Sequence, residues 1–386
     1  MRTTLLTRLL LCSTLLGLAA CGEERKPDDG GVDTGDGDTD ADADTDADAD
    51  ADTDADTDAD TDTDADTDAD TDTDADTDSG DPLELVFSEP PIDVPEGTRF
   101  AADVDYDEHA RTAFDILLPD SGEPTALIIY IHGGGFVGGD KGAAYDKFPE
   151  LIHTALDTGV AYATLNYRLL DAVDTEGVAK PLNDSRRAVQ FLRHHHAAFN
   201  IDPERVALHG GSAGAGTSLW LGTHDDMADP GSDDPVLHES TRVSAVAITA
   251  TQATYDVFRW QEIFAAYELS LVEMATIAGG EQRFLSFYGV SSRDELLSEE
   301  TEAYRADVDM LALMDGADAP IWMESNGAVE APTDTGILYH HPYHGYAVRE
   351  RARAVGLEEV TYLPSMDIAD ESGEEMLDFL LRQLGE

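Results

Sequence analysis

From residue 83 onward the chain alternates short apolar runs with amphipathic stretches. Leu83 to Phe87 and Thr112 to Leu118 read as strands divided by polar turns. Ala126 to Ile131 is an unbroken apolar run of buried-strand length, and Val160 to Asn166 is a second. A helical pattern lies between them at about 143–157. Another covers 183–198, with Ala188, Val189, Phe191 and Leu192 inward. Val206 to Leu208, Val243 to Thr249, Ile321 to Met323 and Val360 to Leu363 supply further strands. A helix is expected at about 213–223, and 255–316 is helical but irregular. Residues 373–384 close the chain as an amphipathic helix, with Met376, Leu377, Phe379, Leu380 and Leu384 on one side. Strand–helix alternation predicts an α/β domain over 82–386, a mostly parallel sheet with helices on both faces. Ligands bind such sheets at the carboxyl ends of the strands.

The pattern differs before residue 82. Arg2 and Arg8 precede an apolar run, Leu9 to Ala20, which reads as a secretory signal over 1–20 and is too short for a good spanning helix. Leu18-Ala19-Ala20-Cys21-Gly22 resembles the lipobox of bacterial lipoproteins. That resemblance implies cleavage before Cys21, lipidation of its thiol and anchorage in the cell envelope. Gly22, not Asp, follows the Cys, which favours the outer membrane. From Asp40 to Asp78 nearly every second residue is Asp, with Ala or Thr between. A period of two would suit a strand, but there is no apolar face to bury, so 21–81 is expected to be a disordered, extended tether. Asp-x-Asp-x-Asp resembles half an EF-hand loop, yet the bidentate Glu of loop position twelve is missing, so a charged spacer is the better reading.

Charge separates the two parts. The chain of 386 residues carries a net −59, of which −26 comes from Asp28 to Asp81 and −35 from 82–386. Such acidity excludes nucleic acid as a partner, because phosphates are repelled. It also predicts a preference for neutral over anionic substrates and disfavours tight self-association, so a monomer is expected. The only cysteines are Cys12 and Cys21, so the domain has neither a disulfide nor a cysteine metal site.

Two glycine-rich turns carry the candidate chemistry. Gly210-Gly211-Ser212-Ala213-Gly214 follows a strand and precedes a helix, the G-x-S-x-G context that exposes a nucleophilic serine at a helix N-terminus. His132-Gly133-Gly134-Gly135-Phe136 ends the strand 126–131, an HGGG turn whose amides serve an oxyanion hole in lipases and esterases. The amides of Gly134, Gly135 and Ala213 are the expected oxyanion donors, and His132 is read as a structural turn residue.

With these motifs, Asn166-Tyr167-Arg168, Asn183-Asp184 and the approach Asn200 to Val206, the chain over about 100–386 resembles α/β-hydrolases of the hormone-sensitive-lipase and feruloyl-esterase-like group. The resemblance implies the α/β-hydrolase fold and hydrolysis of small carboxylic esters through an acyl-enzyme on Ser212, without a cofactor or metal. The family's histidine follows the last strand, but no His occurs after His344. The expected base is therefore His341, with His344 and His340 behind it. The acid is expected after the strand 320–324, as Glu330 or, second, Asp334. The insertion 255–316, with Trp260, Phe264, Tyr267, Phe284, Phe287 and Tyr288, forms either a lid and acyl pocket or ordinary core. His194-His195-His196 cannot converge on one metal, since adjacent helical residues point about 100° apart. The displaced histidine also leaves open a catalytically impaired relative that binds a ligand.

Overall fold

A computed structural model describes residues 83–386. The expected signal peptide, Cys21 and the Asp-rich tether lie outside the described residues. Ten strands form one sheet: β1 Phe87–Ser88, β2 Arg99–Asp105, β3 Ala113–Leu118, β4 Thr125–Ile131, β5 Ala161–Leu165, β6 Ile201–Gly211, β7 Ala245–Thr249, β8 Ile321–Glu324, β9 Glu359–Leu363 and β10 Ile368–Ala369. Their order is β1-β2-β3-β5-β4-β6-β7-β8-β9-β10. Strands β5, β4, β6, β7, β8 and β9 run parallel, while β1, β2, β3 and β10 add antiparallel edges.

The helices connect these strands. They are α1 Ala143–Lys147, α2 Pro149–Asp157, α3 Ala179–His194, α4 His196–Phe199 and α5 Ala213–Thr223. Between β7 and β8 come α6 Trp260–Ile263, α7 Leu271–Ile277, α8 Glu281–Phe287, α9 Arg293–Leu296, α10 Glu299–Asp307 and α11 Met310–Leu313. Between β8 and β9 come α12 Thr335–His340 and α13 Pro342–Val355, and α14 Met376–Leu384 follows β10.

The apolar run of β4 has a simple cause. Leu127, Ile129 and Ile131 face one core, while Ala126, Ile128 and Tyr130 face the other. Both faces are covered by helices, so every residue of the strand is buried. Several boundaries differ from the sequence expectation: the strand expected over Leu83 to Phe87 is only Phe87–Ser88, and the helix expected over 183–198 is Ala179–His194. The helix expected over 143–157 breaks at Phe148, because Pro149 has no N–H to continue it and starts a new one. Strand β6 begins at Ile201, before Asp202-Pro203-Glu204, whose turn-like composition hid it; a register shift against β4 between Thr125 and Leu127 accommodates them. After β9 the chain turns through Pro364–Met366 and returns antiparallel as β10, leaving only a tight hairpin where the family places its histidine.

Candidate active site

Ser212 sits between β6 and α5 with φ 55° and ψ −121°, a strained conformation for a residue with a side chain. The flanking glycines are required by close approach. A Cβ on Gly214 would lie 2.0 Å from the Ile131 carbonyl oxygen, and one on Gly210 would lie 2.4 Å from the Gly214 carbonyl carbon. The turn after β4 packs directly on this elbow. Gly134 and Gly135 there have φ of +118° and +60°, which spares them the strain a side chain would bring. Among the described residues, no backbone carbonyl accepts from the N–H of Gly134, Gly135 or Ala213.

The Asn166-Tyr167-Arg168 segment holds this turn in shape. Tyr167 donates its hydroxyl to the His132 carbonyl at 2.7 Å and stacks on the His132 ring at 4.2 Å. Asn166 accepts from the Lys141 amide and donates to Asp140. Arg168 forks onto Asp184 of α3, tying the segment to that helix. His132 stays clear of Ser212. Burial pushes its pKa down to about 4, and its Nδ1 lies 2.7 Å from the Gly133 carbonyl.

The histidine facing Ser212 is His340, whose Nε2 lies 2.8 Å from Ser212 Oγ. This corrects the assignment of His341. The buried His341 ring caps α13, its Nδ1 accepting from the Tyr343 amide at 3.1 Å. Its Nε2–H then donates to the Glu330 carbonyl at 3.1 Å, with the Tyr267 hydroxyl at 3.2 Å. Both nitrogens are committed and neither reaches Ser212. His344 is committed likewise: the Ala253 amide donates to Nδ1 at 3.2 Å, and Nε2 meets the Leu338 carbonyl at 3.1 Å. Its full burial pushes the pKa down to about 3.

His340 ends α12, a helix absent from the sequence expectation. Asp334 caps it, accepting from the Ile337 amide at 3.0 Å. Gln252 holds it through the Tyr339 carbonyl at 2.8 Å, and Thr335 donates to the Ile277 carbonyl of α7. The sequence did carry a signal: an Asp immediately before a short run that can form a helix.

The expected acids are elsewhere. Glu330 is exposed and meets His341 through its backbone carbonyl, while the Asp334 carboxylate is used as the helix cap. Among the described residues, no carboxylate hydrogen-bonds His340. Burial alone moves the His340 pKa below its ordinary value. The geometry is a serine–histidine pair without a carboxylate partner.

Two cavities meet at Ser212. One, about 490 Å³, is lined by Phe136, Tyr255, Trp260, Phe284 and Phe287 together with Gly135, Ser212 and Ala213. The other, about 600 Å³, lies on the His340 side and includes Gly133 to Gly135, Asp140, Lys147, Ser212, Thr335 and His340, with Arg283 lining both cavities. The aromatic residues of the insertion therefore divide. Trp260, Phe284 and Phe287 line the first cavity, Phe264 and Tyr267 pack on His341, and Tyr288 is buried with its hydroxyl donating to the Tyr255 carbonyl. The His194–His196 segment ends α3 and enters α4, and no metal-binding cluster of His, Cys, Asp or Glu occurs among the described residues.

The family model BD-FAE matches residues 114–280, a segment containing both glycine turns and Ser212 but not His340. The chain has the α/β-hydrolase fold. It is 34% identical over 129 residues to a chlorogenic acid esterase of Aspergillus niger, covering 30% of this chain and 25% of that protein. It is 32% identical over 95 residues to secreted lipase 5 of Gibberella zeae, covering 23% of this chain and 18% of that protein. The chain thus spans a quarter or less of the length of these two relatives. Among solved structures, a truncated carbohydrate esterase from gut microbiota has a similar fold, with a TM-score of 0.52 at 16% identity, covering 79% of this chain and 99% of that one. The histidine facing Ser212 lies on α12, before the last parallel strand.

Proposed function

We propose that this α/β-hydrolase cleaves carboxylic esters through an acyl-enzyme on Ser212, with His340 as general base and acid. The observation that carries the reading is the 2.8 Å contact between Ser212 Oγ and His340 Nε2. Oγ attacks the ester carbonyl carbon as its proton passes to Nε2. The oxyanion that forms is stabilised by the amides of Gly134, Gly135 and Ala213. Collapse breaks the bond to the leaving alcohol, which takes the proton from Nε2–H. Water, deprotonated by His340, then releases the acid. The leaving oxygen must lie within reach of His340, which lines the second cavity and not the aromatic one. The alcohol portion accordingly occupies the His340-side cavity and the acyl portion the aromatic cavity. Without a carboxylate partner, the imidazolium formed in the transition state is stabilised less, so turnover is slower than a full triad would give. The Ser–His contact counts against a purely ligand-binding role.

The lipobox-like Cys21 supports attachment to the cell envelope by a lipid, with the acidic segment as spacer. Purified protein should hydrolyse p-nitrophenyl acetate, and a fluorophosphonate probe should label Ser212. Neither activity nor label, with Ser212→Ala as the background, would sink the esterase reading. For the anchor, fatty-acid labelling should disappear in Cys21→Ala, and labelling that persists would refute it.

A further inference from the structure

The charge of the His340-side cavity runs against that of the domain. Residues 82–386 carry −35, yet the charged side chains lining this cavity are Arg283, which also borders the aromatic cavity, the exposed Lys147, which lines this one only, and Asp140. Asp140 is already engaged: it accepts from the Gly142 amide and the Asn166 side chain and lies 4.0 Å from Arg111. The two cations are not. Neither Arg283 nor Lys147 makes an ion pair among the described residues, although most basic side chains of the domain do. The half-buried Arg283 makes one hydrogen bond, through Nη2 to the Gly135 carbonyl at 3.3 Å, which leaves most of its guanidinium donors available. In so acidic a domain an arginine beside the nucleophile with no carboxylate partner needs an explanation.

We infer that Arg283 and Lys147 bind a carboxylate carried by the alcohol portion of the substrate. This rests on the esterase reading above, which puts the alcohol in the His340-side cavity, the one that Lys147 also lines. A planar guanidinium suits a carboxylate, and Lys147 adds a flexible point charge. The lining carries a net +1, which matches a monoanion better than a phosphate dianion. A hydroxylated carboxylic acid esterified through its hydroxyl, such as an acylated uronic acid, has this chemistry. Whole-domain repulsion still slows the approach of anions at low salt. The two effects act at different distances: screening by salt removes the long-range repulsion first, while the close contact is screened less.

Two measurements test the inference on the full protein. The first is equilibrium binding of methyl glucuronide, methyl glucoside and methyl glucoside 6-phosphate, all read without turnover. The glucuronide should bind about tenfold more tightly than the glucoside, and more tightly than the phosphate. The second is the ratio of kcat/KM for the acetyl esters of the first two sugars. Arg283→Gln and Lys147→Gln should each shrink both preferences, and Arg283→Lys should restore part of them. Because Arg283 touches the oxyanion turn, the neutral ester tracks any damage to that turn. Lys147 provides a variant that makes no hydrogen bond there. Equal affinities with equal rates, a preference untouched by both Gln variants, or tighter binding of the phosphate would overturn the proposal. Retained charge preference with no hydrolysis would instead overturn only the esterase reading.

Discussion

The two halves of the site are built differently. The nucleophile half rises from the ends of β4 and β6, neighbours at the centre of the sheet, and Gly133, Gly134, Gly210 and Gly214 are fixed by backbone approaches of 2.0 to 2.6 Å that no Cβ could share. The base half hangs on α12, a six-residue helix outside the sheet, held by single hydrogen bonds to Gln252, Ser325 and the Ile277 carbonyl of α7. The first half leaves its residues no alternative. The second depends on the insertion for its position, so a histidine can move between loops while the elbow cannot move at all.

The sharpest way to break this comparison is to swap the histidines. His340→Ala should lower kcat by about 10²–10⁴-fold, the usual contribution of a positioned general base. His341→Ala should leave kcat within a few-fold, so an equal loss in both variants would return His341 to the reaction. The pH profile gives a second reading of the same residue. Burial lowers the His340 pKa, so the neutral, proton-accepting form persists below the ordinary 6.5. The acid limb of kcat/KM should therefore fall below pH 6.5, and a limb above it would contradict the site geometry.

Acid should weaken both halves. His132 and His209 on the nucleophile half have pKa values pushed down to about 4 and about 3, and His344 behind the base to about 3, all chiefly by burial. A depressed folded pKa means the unfolded chain takes the proton first. Stability is then intact above about pH 6.5 and lost on acidification, by up to about 1.4 kcal/mol per pH unit per histidine, until the folded pKa is reached. Denaturant midpoints between pH 7 and pH 4 measure this, and His344→Gln should flatten the slope.

Smaller effects separate the halves further. Gly214→Ala should destabilise by about 1–3 kcal/mol and abolish fluorophosphonate labelling, because the Ile131 carbonyl occupies the space. Asp334→Ala, which removes only the exposed cap of α12, should cost about 1 kcal/mol. A thermal shift for Gly214→Ala no larger than that of Asp334→Ala would remove the claimed difference in rigidity.

What could be read from the chain follows the same division. Alternation of apolar residues and the two glycine turns identified β4, β6, α5 and Ser212, because each depends on neighbours within a few residues. The triad partners did not follow. His340, His341 and His344 look equivalent in sequence, and only packing commits His341 to the α13 cap and His344 to the carbonyl of Leu338. Glu330 was expected from its place after β8 but is exposed, and its carboxylate makes no hydrogen bond to His340. The sequence by itself therefore determined the fold, the elbow and the glycine turn after β4, where steric exclusion of a Cβ acts locally. Tertiary structure alone decided which histidine meets Ser212, that no carboxylate among the described residues hydrogen-bonds it, and that two cations without an ion pair among those residues line its cavity. Those outcomes depend on where side chains far apart in the sequence come to rest, and on which of their nitrogens and charges are already satisfied when they do.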